Sequence, residues 1–251
     1  MISPLAAIRE LANIPAYHKQ LASKGTSTHW ERLTYGNHKR QYVLFAEQDD
    51  PHAPVAVWIH GGGWQFGDPE KLVAFGEYFF KRGYTVYMPS HRRIPRHDGD
   101  AIFSDVCKAL AMIQKRAFSP PQILLGGMSS GGQLAALLAL RQNEWRTSAN
   151  LLGLITSGSP LSLRHMGASP TRRWFAGSPK KERFDTLDPY AQLKIKPDFP
   201  AVILHGTKDG LVPWKSAVAF VNQARHVGWD ELNFVSLPGG SHLDAATFIR
   251  D

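Results

Sequence analysis

Apolar positions along the chain recur in two patterns. Short, nearly continuous apolar runs occupy residues 40–46 (RQYVLFA), 55–60 (VAVWIH), 84–89 (YTVYMP), 122–127 (QILLGG), 151–157 (LLGLITS), 201–206 (AVILHG) and 232–237 (LNFVSL). Runs of this length without polar alternation are the pattern of parallel strands covered on both faces. Between them, residues 70–83, 101–116, 132–142, 214–228 and 243–251 space their apolar positions for helices. Strand and helix alternating through short connections predicts an α/β fold, with a mostly parallel central sheet and helices on both faces. The stretch 159–200 breaks this rhythm and is rich in Pro, Ser and Arg. A long connection in a compact domain commonly serves as a lid or binding loop. Residues 1–28 and 159–200 are therefore the expected cover of a single domain, 1–251, with a small or minimal cap.

In sheets of this kind chemistry gathers at the carboxyl ends of the strands. After the run at 122–127 the chain reads GGMSSGG, in which Gly127, Ser129 and Gly131 fit G-x-S-x-G. The pattern is weak by composition, but here it lies between a strand and an apolar helix. That is where a sharp turn presents a nucleophilic serine, with the helix dipole aimed at it. The alternative for Ser129 is an ordinary helix N-cap.

A serine hydroxyl needs a base to take its proton. On such turns the order along the chain is nucleophile, acid, base. Asp209 follows the strand at 201–206 in a glycine-flanked turn (HGTKDGLVP), and His242 follows the last strand in another (PGGSH). His205 competes as base, but its place at a strand end before Asp209 suits a structural hydrogen bond. His226 lies in a helical pattern and reads as a surface residue. Asp185 and Asp188 sit in the irregular stretch, and Asp244 is too close along the chain to orient the ring of His242. The expected triad is Ser129, Asp209 and His242.

The run VWIHGGGWQFGD (57–68) carries three glycines after a strand. Glycine is entropically costly, so the run implies a constrained turn or backbone N–H groups held bare against a ligand. A tetrahedral oxyanion requires such donors. Gly62 and Gly63 are the candidates, with the N–H of Ser130 as the third, and His60 and Trp64 brace the turn. A phosphate-cradling role is poorly supported, because no Lys-Ser/Thr follows the glycines.

Together, HGGGW, GMSSGG, HGTKDGLVP and GGSH resemble the α/β-hydrolase superfamily. The likeness is to compact esterases of the hormone-sensitive-lipase, feruloyl/acetylxylan-esterase and kynurenine-formamidase type, and it runs from about residue 40 to the C-terminus. HRRIP (91–95) is similar to that group's Tyr-Arg-Leu-x-x-Pro turn, and Asp105 to its downstream aspartate. The resemblance implies a structural Arg92–Asp105 pair. Met128, Ser130 and Gly63 depart from common family choices, which bears on substrate more than on the triad. The implied chemistry is acyl transfer through a covalent intermediate.

Composition adds limits. The chain has 251 residues, 43% hydrophobic and 20% charged, a formal net charge of +8 and one cysteine, Cys107. One cysteine permits no internal disulfide. Residues 1–20 lack a basic n-region and a cleavage site. A cytoplasmic protein is the expectation. The positive charge collects in 91–97 and 164–183 rather than in a nucleic-acid-binding module. These are either solvated basic loops or a site edge that favours anionic substrates. Trp174 and Phe175 are either core residues or walls of an acyl or aryl pocket.

Expected partners are a small ester or amide substrate, with no nucleic acid, membrane, cofactor or metal. A carboxylesterase acting on small acetyl or aryl esters is the first reading. An aryl formamidase acting on a carboxylate-bearing formamide is the second, and a non-catalytic binding protein of the same fold a distant third.

Overall fold

The computed structural model describes residues 4–23, 28–118 and 120–250. Strands form on all seven apolar runs, and one more precedes them. In chain order they are β1 (Glu31–Thr34), β2 (Tyr42–Ala46), β3 (Val55–Ile59), β4 (Thr85–Pro89), β5 (Gln122–Met128), β6 (Asn150–Ser157), β7 (Ala201–Gly206) and β8 (Leu232–Leu237). They hydrogen-bond in the order β1-β2-β4-β3-β5-β6-β7-β8. β1 and β2 run antiparallel to their neighbours and the remaining pairs are parallel. β1 was not expected from sequence, because ERLT is short, polar and mostly exposed. It exists as an edge strand held by its register on β2, from Glu31 opposite Phe45 to Thr34 opposite Tyr42.

The α-helices are α1 (Pro4–Ser23), α2 (Val73–Phe80), α3 (Gly99–Arg116), α4 (Ser130–Leu140), α5 (Pro170–Ala176), α6 (Glu182–Thr186), α7 (Pro189–Gln192) and α8 (Trp214–His226). Two expected helices differ. The segment 70–83 is a 3-10 turn over Pro69–Leu72 followed by α2, because Leu72, at φ −123°, interrupts the helical path. The C-terminal segment is a 3-10 helix, Asp244–Arg250, and Asp251 lies outside the described residues. α3 begins two residues early, capped by the Asp98 side chain, which accepts from Ala101 N–H. The irregular stretch 159–200 contains α5, α6 and α7. Of the expected N-terminal cover, α1 is described and residues 1–3 and 24–27 are not.

Alternation along the strands splits the core into two clusters. Val57 and Ile59 of β3 face one that includes Val106, Leu110, Leu134 and Leu138 of α3 and α4. Ala56 and Trp58 face the other, with Phe75 and Phe79 of α2 and Tyr17 and Leu21 of α1. Full burial of such side chains stabilises by about 1.5–3 kcal/mol each. Arg92 and Asp105 pair as the resemblance implied: Nη2 lies 2.7 Å from Oδ1, and the Arg92 amide also donates to Oδ2 at 2.9 Å. Among the described residues, no helix is long and apolar enough to cross a membrane.

From β3 the chain moves to β4 on one side, then returns to β5 on the other. The loops leaving β3 and β5 therefore diverge, and a crevice opens between them at their carboxyl ends.

Candidate active site

β5 passes into α4 through one residue, Ser129, at φ 54° and ψ −126°. Positive φ is uncommon for a residue with a Cβ and is maintained only where the surroundings enforce it. Here they do. Ser129 N–H donates to the Ser157 carbonyl at 2.8 Å. A Cβ on Gly131 would lie 2.1 Å from the Ile59 carbonyl oxygen, so the start of α4 can rest on the end of β3 only as glycine. The Ser129 side chain makes no capping hydrogen bond to α4, so its hydroxyl is not engaged as an N-cap.

Ser157 ends β6, and the next residue, Gly158, touches the ring of His242: a Cβ at Gly158 would be 3.1 Å from its Nδ1. The neighbours of Ser129 and His242 are thus consecutive residues on one strand end. His242 Nδ1 donates to Asp209 Oδ2 at 2.7 Å, which leaves Nε2 as the unprotonated nitrogen of the neutral ring. Oδ1 of Asp209 accepts from the amides of Leu211 and Val212 at 2.8 and 2.7 Å. His205 Nε2 donates to the Val212 carbonyl at 3.0 Å and lies 3.3 Å from Asp209 Oδ2. It closes the Asp209 turn, as a structural histidine would.

Burial alone would raise the Asp209 carboxyl. The charge of His242 and hydrogen bonds from His205 and His242 outweigh it and hold the group well below the usual carboxylate range. For His242, burial lowers the imidazole, but the charge and hydrogen bond of Asp209, aided by Glu10, raise it above its ordinary 6.5.

The glycine turn after β3 is wound by Gly62 at φ 129° and Gly63 at φ 60°. The Gly62 carbonyl accepts from Gln65 and Phe66 at 3.1 and 2.9 Å. Among the described residues, the Gly62 and Gly63 amides have no hydrogen-bond acceptor. Ser130 N–H belongs to the first turn of α4, where amides have no intrahelical acceptor. His60 is buried and donates from Nδ1 to the Gly61 carbonyl at 2.8 Å. Burial pushes its imidazole down to about 4, so it is neutral. Trp64 donates to Gln133 Oε1 at 3.1 Å and stacks on Phe175 with centroids 4.2 Å apart. Both residues brace the turn.

These elements meet in a cavity of about 480 Å³, lined by Gly61–Gly63, Ser129, Ser130 and His242. Its walls come from both expected covers: Leu11, Ile14, Tyr17 and His18 of α1, and Pro160, Met166, Ser169 and Thr171. Other sequence candidates fall elsewhere. Asp188 is buried and caps α7, and Asp185 pairs with Arg164 at the surface. Asp244 holds the Ser241 hydroxyl at 2.8 Å, and His226 is exposed on α8. Phe175 is core and Trp174 is half-exposed; neither lines the cavity. Nor do the arginines of 164–183, and the lysine in the lining is Lys71. Among the described residues, no group of three His, Cys, Asp or Glu could hold a metal ion.

Sequence reasoning missed Glu10, whose carboxylate reaches the turns of both His242 and Asp209. Its only signal was helical spacing in residues 4–23, which Pro15 obscures.

The family model BD-FAE matches residues 43–224, the greater part of the chain, from within β2 to within α8. The chain belongs to the BD-FAE family. BD-FAE similarity thus spans the glycine turn, the Ser129 elbow and Asp209, and stops short of His242. Among curated relatives, esterase LipC of Mycobacterium tuberculosis is 26% identical over 246 residues, covering 85% of this chain and 59% of LipC. Esterase LipQ of the same organism is 23% identical over 274 residues, covering 98% of this chain and 63% of LipQ. The chain therefore spans about three fifths of the length of either. Among solved structures, esterase B from Lactobacillus Rhamnosis superposes with a TM-score of 0.74 at 20% identity, covering 92% of this chain and 82% of the other. That likeness carries the fold, which is the α/β-hydrolase fold.

Proposed function

We propose that this BD-FAE member is a serine esterase that cleaves small carboxylic esters, acetyl or aryl, within a single 1–251 domain covered by α1 and the 159–200 stretch. The observation that carries the reading is the 2.7 Å Asp209–His242 contact beside a cavity into which a positive-φ turn places Ser129. The names of LipC and LipQ support the same class.

In this mechanism His242 Nε2 takes the Ser129 hydroxyl proton as Oγ attacks the ester carbonyl. Asp209 fixes the tautomer and stabilises the imidazolium. The amides of Gly62, Gly63 and Ser130 receive the oxyanion, and removal of one such donor typically costs about 3 kcal/mol in the barrier. His242 returns the proton to the leaving alkoxide. Water, activated by the same ring, then hydrolyses the acyl-enzyme.

Ser129→Ala is expected to abolish hydrolysis of p-nitrophenyl acetate in a folded protein, and a fluorophosphonate probe should label Ser129 alone. Full turnover by the alanine variant refutes the assignment.

One observation favours a second reading. Lys71 and His18 stand in the cavity wall beside Asp68, which lies 3.9 Å from the Lys71 ammonium, and burial and the Lys71 charge lower the His18 imidazole. A cation there suits a substrate with a carboxylate, such as an aryl formamide. The ratio of kcat/KM for N-formylkynurenine to that for phenyl acetate decides the order, and a large excess for the formamide reverses it.

A further inference from the structure

α1 brings a carboxylate into the seam between the acid and base turns. Glu10 is 6% exposed. Its Oε1 accepts from the His242 amide at 2.8 Å and from the Gly210 amide at 3.2 Å. One oxygen therefore gathers the base residue and the residue next to the acid, across more than 200 positions of sequence. The approach is close: a Cβ on Gly210 would lie 2.8 Å from both the Ala6 carbonyl and Glu10 Cγ. Oε2 is buried without a partner among the described residues. A buried carboxylate is costly unless hydrogen-bonded, and an arrangement that only joined α1 to the domain would not need a charge there.

We propose that Glu10 is a positioning residue: by holding the His242 and Gly210 amides on one oxygen, it sets the imidazole against Asp209 and makes α1 part of the triad's support. The proposal rests on the esterase reading above.

Among the described residues, carboxylates approach His242 from three elements. Asp209 meets its Nδ1 from the turn after β7, with His205 on the same carboxylate oxygen. Glu10 comes from α1. Asp244, on the following 3-10 helix, is engaged by Ser241 at the surface. Removing the Glu10 charge therefore leaves Asp209 as the anion in contact with the ring and makes the imidazolium easier to deprotonate.

Two variants separate positioning from bulk stability, with p-nitrophenyl acetate as substrate. Glu10→Gln keeps an oxygen for both amides and removes the charge. Its plateau kcat is expected within a few-fold of the parent, with the acid limb of the kcat/KM profile moved to lower pH. Glu10→Ala leaves both amides without an acceptor, and kcat is expected to fall tenfold to about a hundredfold, the scale of a small misplacement of a catalytic group. KM should change far less. Arg9→Gln, on the exposed side of the same helix, serves as control and should match the parent.

An unmoved acid limb in Glu10→Gln overturns the proposal, whether or not Glu10→Ala folds. So does parental kcat in a folded Glu10→Ala. Fluorophosphonate labelling of Ser129 in the parent keeps the two readings apart. If the parent labels and both variants behave like it, the Glu10 proposal alone fails. If the parent does not label, the esterase reading fails first.

Discussion

Replacing Ser129 with glycine should make the protein more stable as it makes it inactive. At φ 54° and ψ −126°, this residue occupies a region that glycine enters freely and an L-residue enters at a cost of about 1–3 kcal/mol. Ser129→Ala removes the hydroxyl but keeps the Cβ, so it keeps the strain. Ser129→Gly removes both. Against the relief stands the greater backbone entropy of glycine in the unfolded chain, about 0.5–1 kcal/mol. The side chain lines the cavity and makes no hydrogen bond to α4, so little packing is lost with it. Taking the middle of each range, the net expectation is that the glycine variant exceeds the alanine variant by about 1 kcal/mol. For a chain of this size that is an upward shift of about 2–4 °C in Tm. Urea unfolding followed by circular dichroism, with a thermal scan in parallel, measures the difference, and both variants should be inactive on p-nitrophenyl acetate. If the glycine variant is no more stable than the alanine variant, the turn is not strained and the argument is wrong.

Because the His242 imidazole is raised above 6.5 and the proposed mechanism needs it neutral, kcat/KM should fall as pH drops through a midpoint above 6.5; a midpoint below that value contradicts the Asp209 and Glu10 contacts. Gly62→Ala would place a Cβ 2.2 Å from the Phe66 carbonyl oxygen at φ 129°, so the donor turn must open. Loss of a donor's worth of activity, about a hundredfold, is expected, and wild-type kcat would refute the close approach. Asp105→Ala should lower the free energy of unfolding by about 3 kcal/mol, since it strands Arg92 and the Gln41 amide, yet leave KM unchanged because none of the three lines the cavity. An unshifted urea midpoint would show the pair to be energetically idle.

Much of this architecture was written locally in the chain. Strands such as VAVWIH and QILLGG are apolar throughout because helices cover both faces, so run length alone located them. The elbow was legible because Gly127 and Gly131 stand where a Cβ would meet backbone. What escaped detection depends on tertiary contact. β1 has no apolar signature, since one edge of it faces solvent and its register comes from β2. The break at Leu72 separates a 3-10 turn from α2 although the apolar spacing runs through both. Glu10 looks like any surface glutamate on a helix until the two turns it holds, far away in sequence, are folded against it. The N-terminal cover is likewise tertiary, because α1 reaches the cavity wall through Leu11, Ile14, Tyr17 and His18 only once it packs on the domain.

The described departures from ordinary backbone preference at non-glycine residues fall in one place. Ser129 and Trp64 are the described non-glycine residues with positive φ, and they lie on the two loops that leave adjacent strands β5 and β3. His60 and His91 stack at 4.7 Å beneath the same loop, buried and neutral, and Glu10 is buried a short distance along the sheet end. Each of these arrangements is unfavourable by itself, although the Trp64 ring also packs in one core cluster against Phe175. Strain and buried polarity scattered over a sheet would suggest tolerance of poor local fit. Concentrated at the carboxyl end of the strands where the loops diverge, the backbone strain is what the proposed site requires, with its donors and base fixed before substrate arrives. The large apolar core on both faces of β3 and β5 supplies the stability that lets those two loops remain strained.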